Sequence, residues 1–147
     1  MNTALIIYGS STGNTEFAAE TIESYLSDHQ YQVTLMDASE ADVGELKKSY
    51  DLYLLGCSTW GEDEIELQED FESFYEDMAA PLSLDGKTFA IFGCGDSSYT
   101  YFCGAVDEIE TRVGKLGASL LTQSLKIDGE PEEDEITEWA QDVINAA

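Results

Sequence analysis

The chain has 147 residues, of which 43% are hydrophobic, and this length suits one compact domain with one hydrophobic core. Its 31 acidic and six basic residues give a formal net charge of −25. Such a surface repels nucleic acid and anionic membranes, which attract clusters of Lys and Arg, and it favours basic protein partners. The sequence has no apolar run near the roughly 20 residues of a membrane helix and no recognisable signal peptide, so we expect a cytoplasmic protein.

The cysteines and the single histidine limit the possible chemistry. Cys57, Cys94 and Cys103 form no Cys-x-x-Cys motif, so the sequence predicts neither a disulfide framework nor a zinc site. His29 lies in a polar Ser-Asp-His-Gln stretch that is typical of a helix end. We therefore predict no bound metal and no histidine-dependent catalytic site.

Apolar runs alternate with amphipathic segments along the chain. The apolar runs predict five strands, at 3–8, 31–36, 52–57, 88–94 and 119–125. Helical spacing of apolar residues predicts helices at 13–28, 42–48, 67–78, 104–116 and 132–146. Pro131 precedes the last helix, and Gly117 is the predicted C-cap of the one before it. Near-continuous apolar strands between helices indicate a parallel sheet covered on both faces, in one α/β domain spanning residues 1–147.

Each predicted helix carries an apolar stripe that should face the sheet. In the first helix this stripe consists of Phe17, Ala18, Thr21, Ile22, Tyr25 and Leu26. In the last helix it consists of Ile136, Trp139, Ala140, Val143 and Ile144. We expect these side chains to contribute to the core.

The loop after the first strand has the composition of a phosphate site. In doubly wound sheets, ligands bind at the carboxyl ends of the strands. This loop contains Ser10, Ser11, Thr12, Gly13, Asn14 and Thr15, which supply hydroxyl and amide donors at the start of a helix. It lacks the Lys of a Walker A motif and is not a Gly-x-Gly-x-x-Gly loop, so we expect a single terminal phosphate held by neutral donors. A ligand-free N-cap is the alternative interpretation.

The loops after the third and fourth strands combine aromatic, acidic and small residues. The first of them contains Ser58, Thr59, Trp60 and Gly61, followed by three acids at 62–64. The second contains Cys94, Gly95, Asp96, Tyr99, Tyr101, Phe102 and Cys103. Aromatic rings from neighbouring loops can sandwich a flat heterocycle. The alternative is that these rings, Phe102 above all, only cover the sheet edge.

Four motifs in order resemble the short-chain flavodoxins of sulfate-reducing bacteria. They are Gly-Ser-Ser-Thr-Gly-Asn-Thr-Glu at 9–16, Leu-Leu-Gly-Cys-Ser-Thr-Trp-Gly at 54–61, Ile-Glu-Leu-Gln-Glu-Asp-Phe at 65–71, and Phe-Gly-Cys-Gly-Asp-Ser-Ser-Tyr-Thr-Tyr-Phe-Cys-Gly-Ala-Val-Asp at 92–107. The resemblance implies a flavodoxin-like three-layer sandwich with a five-stranded parallel sheet of order 2-1-3-4-5, for which flavodoxin is a type example. It also implies non-covalently bound FMN as the cofactor.

The resemblance assigns roles to individual positions. It implies that Ser10, Ser11, Thr12, Asn14, Thr15 and Ser58 hold the FMN phosphate, and that Trp60 and Tyr99 flank the flavin ring. Backbone groups of Gly95, Asp96, Tyr101 and Cys103 would contact the polar edge of the ring. Gly61 would supply a peptide that rotates when the flavin is reduced, since glycine tolerates positive φ. Gly13, Thr59, Cys94 and Phe102 complete the predicted cofactor-binding set.

The implied function is low-potential electron transfer rather than catalysis. Acids at 62–64 and Asp96 would disfavour negative charge on the reduced ring, so the carrier would cycle mainly between its one-electron and fully reduced forms. The expected partners are oxidoreductases, hydrogenases and cytochromes with basic surfaces, in transient complexes with a monomer.

Three other functions remain as alternatives. An FMN-dependent reductase of quinones or NAD(P)H would need a substrate pocket, and the three loops contain no Lys or Arg for a second phosphate. A response-regulator receiver would need an Asp at the end of the third strand, where this chain has Gly56-Cys57-Ser58. A purely acidic interaction module would not bind FMN.

Overall fold

A computed structural model describes residues 2–60 and 64–147. The strands are β1 (Asn2–Gly9), β2 (Tyr31–Asp37), β3 (Leu52–Cys57), β4 (Thr59–Trp60), β5 (Glu66–Leu67), β6 (Thr88–Gly95), β7 (Ser119–Leu120) and β8 (Leu125–Asp128). The α-helices are α1 (Asn14–Asp28), α2 (Glu69–Asp77), α3 (Gly104–Lys115) and α4 (Glu133–Ala146). Short 3₁₀ helices occupy Ala38–Glu40 and Val43–Lys47.

The central sheet is parallel, in the order β2-β1-β3-β6, with β7 and β8 both paired to the outer side of β6. Counting β7 and β8 as one interrupted strand gives the predicted order 2-1-3-4-5. The order reverses beside β1, because the chain first moves outward to β2 and then returns to β3 on the other side of β1. Ligands of doubly wound folds bind at this switch point.

Alternation along the buried strands divides the core into two layers. Ala4, Ile6 and Tyr8 of β1 pack in one cluster with helices α1 and α4. Leu5 and Ile7 pack on the opposite face with helices α2 and α3. Strands buried on both faces explain the near-continuous apolar runs in the sequence. The fold is thus the predicted three-layer α/β sandwich.

The fifth strand differs from the prediction because it is interrupted. Ser119 and Leu120 pair with Thr88 and Phe89, and pairing resumes only at Leu125, opposite Phe92. The outer strand therefore spans five positions where β6 spans three, which is a bulge of two residues. The Trp139 indole supports this bulge, because its Nε1 donates to the Gln123 carbonyl at 2.8 Å. Strand pairing then continues to Asp128, beyond the predicted end at 125.

The expectation that Phe17 contributes to the core was wrong. Phe17 is 42% exposed, because Ala18, Ala19, Ile22 and Leu26 already cover the sheet from α1. The short helix predicted at 42–48 is present as a 3₁₀ helix at Val43–Lys47, and it buries only Leu46. The β4–β5 ladder, which pairs Trp60 with Glu66, was not predicted at all because each strand has only two residues.

Within 2–60 and 64–147, no helix combines the length and apolar character that crossing a membrane requires.

Candidate functional site

A cleft of about 240 Å³ opens at the carboxyl ends of β1, β3 and β6. Its lining residues are Thr12, Asn14, Ser58, Thr59, Trp60, Cys94, Gly95, Asp96, Tyr99 and Gly129. A larger cavity of about 530 Å³ lies at the opposite end of the sheet, beside Asn2, Asp51 and Thr88. The smaller cleft is the better candidate, because it lies at the switch point and collects the polar loops.

The first loop leaves the start of α1 open toward the cleft. Gly13 precedes the helix at φ +94°, a conformation that side chains with a Cβ rarely adopt. Among the described residues no side chain caps the helix, so its first N–H groups keep their hydrogen-bonding capacity for an anion. The Thr15 side chain in the first turn is buried, and within the described part of the chain its Oγ1 has no hydrogen-bond partner of normal geometry. The neighbouring Cys94 thiol is only a weak hydrogen-bonding group for it.

Four hydroxyl oxygens around the loops accept hydrogen bonds from nitrogen donors of the protein. Ser10 Oγ accepts from the Gly13 amide at 3.1 Å, and Thr59 Oγ1 accepts from the Ala105 amide at 2.9 Å. Ser58 Oγ accepts from Trp60 Nε1 at 3.0 Å. Ser11 Oγ accepts from Gln68 Nε2 at 3.3 Å. A hydroxyl that accepts in this way keeps its own proton available for another acceptor. The set is therefore suited to an anion although it contains no cation.

Two aromatic residues contribute to the walls of the cleft. Trp60 is half-buried, and its indole is oriented by the bond to Ser58. Tyr99 comes from the loop after β6, where its amide donates to the Asp96 carbonyl at 3.0 Å. The β4–β5 ladder holds the backbone of Trp60 opposite Glu66. Rings from two separate loops at one cleft can enclose a flat ligand.

The electrostatic character of the cleft is acidic. None of its lining residues is Lys or Arg, and Asp96 lies at its edge. Hydrogen bonds from the Ser98 hydroxyl and amide lower the pKa of the Asp96 carboxyl, so the carboxylate stays ionised at neutral pH. Lys126, which is not among the lining residues, forms an ion pair with Asp107 at 2.8 Å. A ligand group that gains negative charge here meets the Asp96 carboxylate and no cationic side chain among the described lining residues.

The three cysteines are free and buried. Burial raises the pKa of the Cys103 thiol to about 12, and burial likewise raises the pKa of Cys57 to about 12. The Cys103 Sγ lies 3.8 Å from the Gly93 carbonyl and 3.7 Å from the Ile127 carbonyl. A thiol that stays protonated is a poor nucleophile. Burial of Cys94 also raises its pKa, although this residue lines the cleft.

The structure brings most of the predicted site residues together. Nine of the ten described residues that line the cleft belong to the predicted set. Of the others, Ser10, Ser11, Gly13 and Thr15 lie in the adjoining loop at 10–15, between β1 and the first turn of α1. Tyr101 is 47% exposed, Phe102 packs against the core, and Cys103 is the buried N-cap of α3. Gly61, the proposed rotating peptide, and the acids at 62 and 63 lie outside the described residues.

Sequence reasoning missed two residues at this site. Gly129 lines the cleft, with φ +71° and an amide that donates to the Gly95 carbonyl at 3.0 Å. An Asp-Gly turn after the fifth strand was the available signal. Gln68, at the start of α2, contacts Ser11 in the loop at 10–15. Its signal was weaker, because a single Gln before an acidic helix start resembles an ordinary surface residue.

Comparisons with known proteins agree with this geometry. The sequence profile of the family described as Flavodoxin matches residues 6–141. A flavodoxin of Maridesulfovibrio salexigens is 50% identical over 145 residues, and one of Nitratidesulfovibrio vulgaris is 49% identical over 148 residues; both alignments cover 99% of this chain and 99% of the relative. The crystal structure of oxidised flavodoxin 2 from Bacillus cereus superposes with a TM-score of 0.89 at 34% identity, covering 99% of each chain. The chain therefore belongs to the flavodoxin family, and it is an FMN-binding electron-transfer protein.

Proposed function

We propose that the cleft holds FMN with its phosphate at the start of α1 and its ring between Trp60 and Tyr99. The buried Thr15 Oγ1 carries this proposal, because a hydroxyl without a good partner is costly to bury and is satisfied by a phosphate oxygen. The four hydroxyls that accept from protein nitrogens supply further donors. These neutral donors match the single terminal phosphate of a mononucleotide.

When bound, FMN supplies a ring that accepts and releases electrons one at a time. The protein binds and orients that ring, and its acidic residues raise the free energy of placing negative charge on it. Asp96 is kept ionised by Ser98, so it opposes negative charge on the ring. We therefore propose that the second electron is added at low potential. The acids at 62–64 and the Gly61 peptide are proposed to act in the same direction.

The partners are proposed to be redox proteins with basic surfaces, such as oxidoreductases, hydrogenases and cytochromes. The net charge of −25 supports long-range attraction of such partners, and the complexes are expected to be weak and salt-sensitive. We further propose that residues 1–147 act as one domain, as a monomer in the cytoplasm. The alignments over 99% of this chain and of its relatives support the single domain.

Stepwise anaerobic reduction of the FMN-loaded protein, followed by its visible spectrum, tests this function. We expect two separated one-electron steps. A direct passage from oxidised to fully reduced flavin, or turnover of NAD(P)H or a quinone without a partner, would instead favour a flavin reductase. A folded protein that fails to bind FMN would contradict the proposed site.

A further inference from the structure

Gln68 is a buried polar residue that links the start of α2 to Ser11, in the loop at 10–15. Its side chain is almost inaccessible, with 3% of the residue exposed. Its backbone amide donates to the Ser58 carbonyl at 3.1 Å, while the Ser58 amide lies 3.4 Å from the Gly9 carbonyl. Gly9 leaves room for Gln68, because a Cβ at Gly9 would clash with Gln68 Oε1. Gln68 therefore sits where the ends of β1 and β3 meet.

The orientation of the Gln68 amide is fixed by its partners. Oε1 accepts from the Phe71 amide at 3.0 Å and so caps α2, a role that only an oxygen can fill. Nε2 donates to Asp70 Oδ2 at 3.1 Å and to Ser11 Oγ at 3.3 Å. Both hydrogens of Nε2 are thereby used. A flipped amide would place donors against the Phe71 N–H and an acceptor against the Asp70 carboxylate.

This contact determines whether the Ser11 hydroxyl donates or accepts a hydrogen bond, which we call its polarity. Nε2 of Gln68 has no lone pair to offer, so Ser11 Oγ must act as the acceptor in this bond. Its own O–H is then directed away from Gln68, toward other acceptors. We propose that Gln68 is a positioning residue that keeps the Ser11 hydroxyl turned as a donor to the FMN phosphate. This inference rests on the proposed site of the phosphate.

A matched pair of substitutions can reverse this polarity while preserving the rest of the contact. In Gln68→Glu the carboxylate still caps α2 but can only accept, so the Ser11 O–H turns toward it and away from the phosphate. Adding Asp70→Asn keeps the net charge and restores the bond between positions 68 and 70 with its direction exchanged. Asp70→Asn alone is the control variant.

FMN affinity, measured by quenching of flavin fluorescence, is the readout. We expect Ser11→Ala and the Gln68→Glu/Asp70→Asn pair each to weaken FMN binding about tenfold, since each removes one hydrogen bond to a charged group. When the pair is placed in the Ser11→Ala background, it should cost less than about threefold, because the hydroxyl it acts through is gone. Additive losses in that background would overturn the inference, and so would unchanged FMN affinity in the pair.

Two further measurements separate positioning from scaffolding. Riboflavin lacks the phosphate, so its affinity should change less than about twofold in the pair, and equal losses for FMN and riboflavin would overturn the inference. Protonation of the carboxylate that Gln68→Glu introduces restores a donor at that position, so the ratio of variant to wild-type FMN affinity should recover as the pH falls. A ratio that does not change with pH would count against positioning.

A second variant covers the case in which the pair does not fold. Gln68→Ser keeps an N-cap hydroxyl for α2 but is too short to reach Ser11. We expect its FMN affinity to lie between those of the wild type and Ser11→Ala, and wild-type affinity in this variant would overturn the inference. Failure of the wild type itself to bind FMN would refute the proposed function instead, so the two failures are distinguishable.

Discussion

Single hydroxyl groups matter in this site because no cation assists them. Thr15 Oγ1 and Glu45 Oε2 are the buried side-chain atoms without a hydrogen bond among the described residues. Glu45 Oε2 is nevertheless paired, since it lies 3.1 Å from Lys48 Nζ. Thr15 then buries a hydroxyl whose polar neighbour is at best the weakly bonding Cys94 thiol. Such a group lowers the stability of the protein without FMN, and a phosphate bound there, as we propose, would offset that loss.

Thr15→Val tests this trade between stability and binding. Valine has nearly the shape of threonine but no hydroxyl. The free energy of unfolding of the FMN-free protein, measured with denaturant, should therefore stay the same or rise by up to about 1 kcal/mol. FMN affinity should fall about tenfold, because one hydrogen bond to the phosphate is lost. Thr21→Val on the same helix is the control, since the one hydrogen bond that Thr21 Oγ1 makes to the described residues goes to the Phe17 carbonyl. A destabilised Thr15→Val protein with unchanged FMN affinity would contradict the assignment.

The buried thiol of Cys57 should affect how the free energy of unfolding depends on pH. Burial raises the pKa of this thiol to about 12, whereas the thiol of the unfolded chain titrates at about 8.5. Between these values the unfolded state binds fewer protons, so the free energy of unfolding falls by up to about 1.4 kcal/mol per pH unit. Below about pH 8 the thiol has no effect on the pH dependence. Urea unfolding between about pH 8 and 11 should give a shallower decline for Cys57→Ala than for the wild type, and parallel declines would refute this.

At the scale of elements, helix α2 depends on α3 for its carboxyl end. The last turn of α2 contains no basic residue of its own. Arg112 of α3 supplies the positive charge, because its Nη1 donates to the Tyr75 carbonyl at 2.9 Å and to the Met78 carbonyl at 2.7 Å. Its guanidinium also stacks on the Tyr75 ring, 4.1 Å from the ring centre. One side chain thus links the carboxyl end of α2 to α3.

Arg112→Ala should therefore destabilise the protein by about 2 kcal/mol. The estimate reflects lost hydrogen bonds to a charged donor, reduced because Arg112 is only partly buried. Lys115→Ala is the matched control on the same helix, where the side chain is exposed. Its effect should stay within about 0.5 kcal/mol. Chemical unfolding of both variants checks this, and equal effects would show that the carbonyl contacts contribute nothing.

Most of the elements were predictable because their apolar patterns are long. Strand β1 and helix α4 were placed within one residue of their observed ends. The bulge between β7 and β8 was not predictable, because it depends on a contact between Trp139 and Gln123 that a local pattern does not encode. Phe17 was misplaced for a related reason, since two alanines of α1 provide enough apolar surface to cover the sheet.

The site was predictable to a similar extent. Trp60 and Asn14 line the cleft. They could be predicted because the composition of their loops is unusual. Gln68 did not stand out, because its importance comes from burial and from the loop it meets in space. The polarity of Ser11 is likewise a property of a contact across 57 positions of the chain. Sequence patterns identify donors, but packing determines where those donors point.

At the scale of the whole molecule, charge is the dominant feature. The 31 acids greatly outnumber the six bases, and the described residues contain two ion pairs, Lys48 with Glu45 and Lys126 with Asp107. Lys87 donates a hydrogen bond to the Tyr53 phenol, and Arg112 donates to backbone carbonyls. These two cations therefore bond to neutral groups rather than to carboxylates. Most carboxylates therefore repel one another across the surface. Compaction brings these charges together and lowers the stability of the folded state.

Added salt should therefore stabilise this protein. Raising NaCl from about 20 mM to about 500 mM shortens the screening length from about 20 Å to about 4 Å, which removes most repulsion between separated carboxylates. We expect the melting temperature of the FMN-free protein to rise by about 2–4 °C for each kcal/mol of repulsion that the salt removes, the conversion for a chain near this length. A variant with Glu132, Glu135 and Glu138 changed to Gln should respond less, because it has fewer charges to screen. A melting temperature that does not change with salt, or an equal response in the variant, would show that the acids are too well solvated to oppose folding.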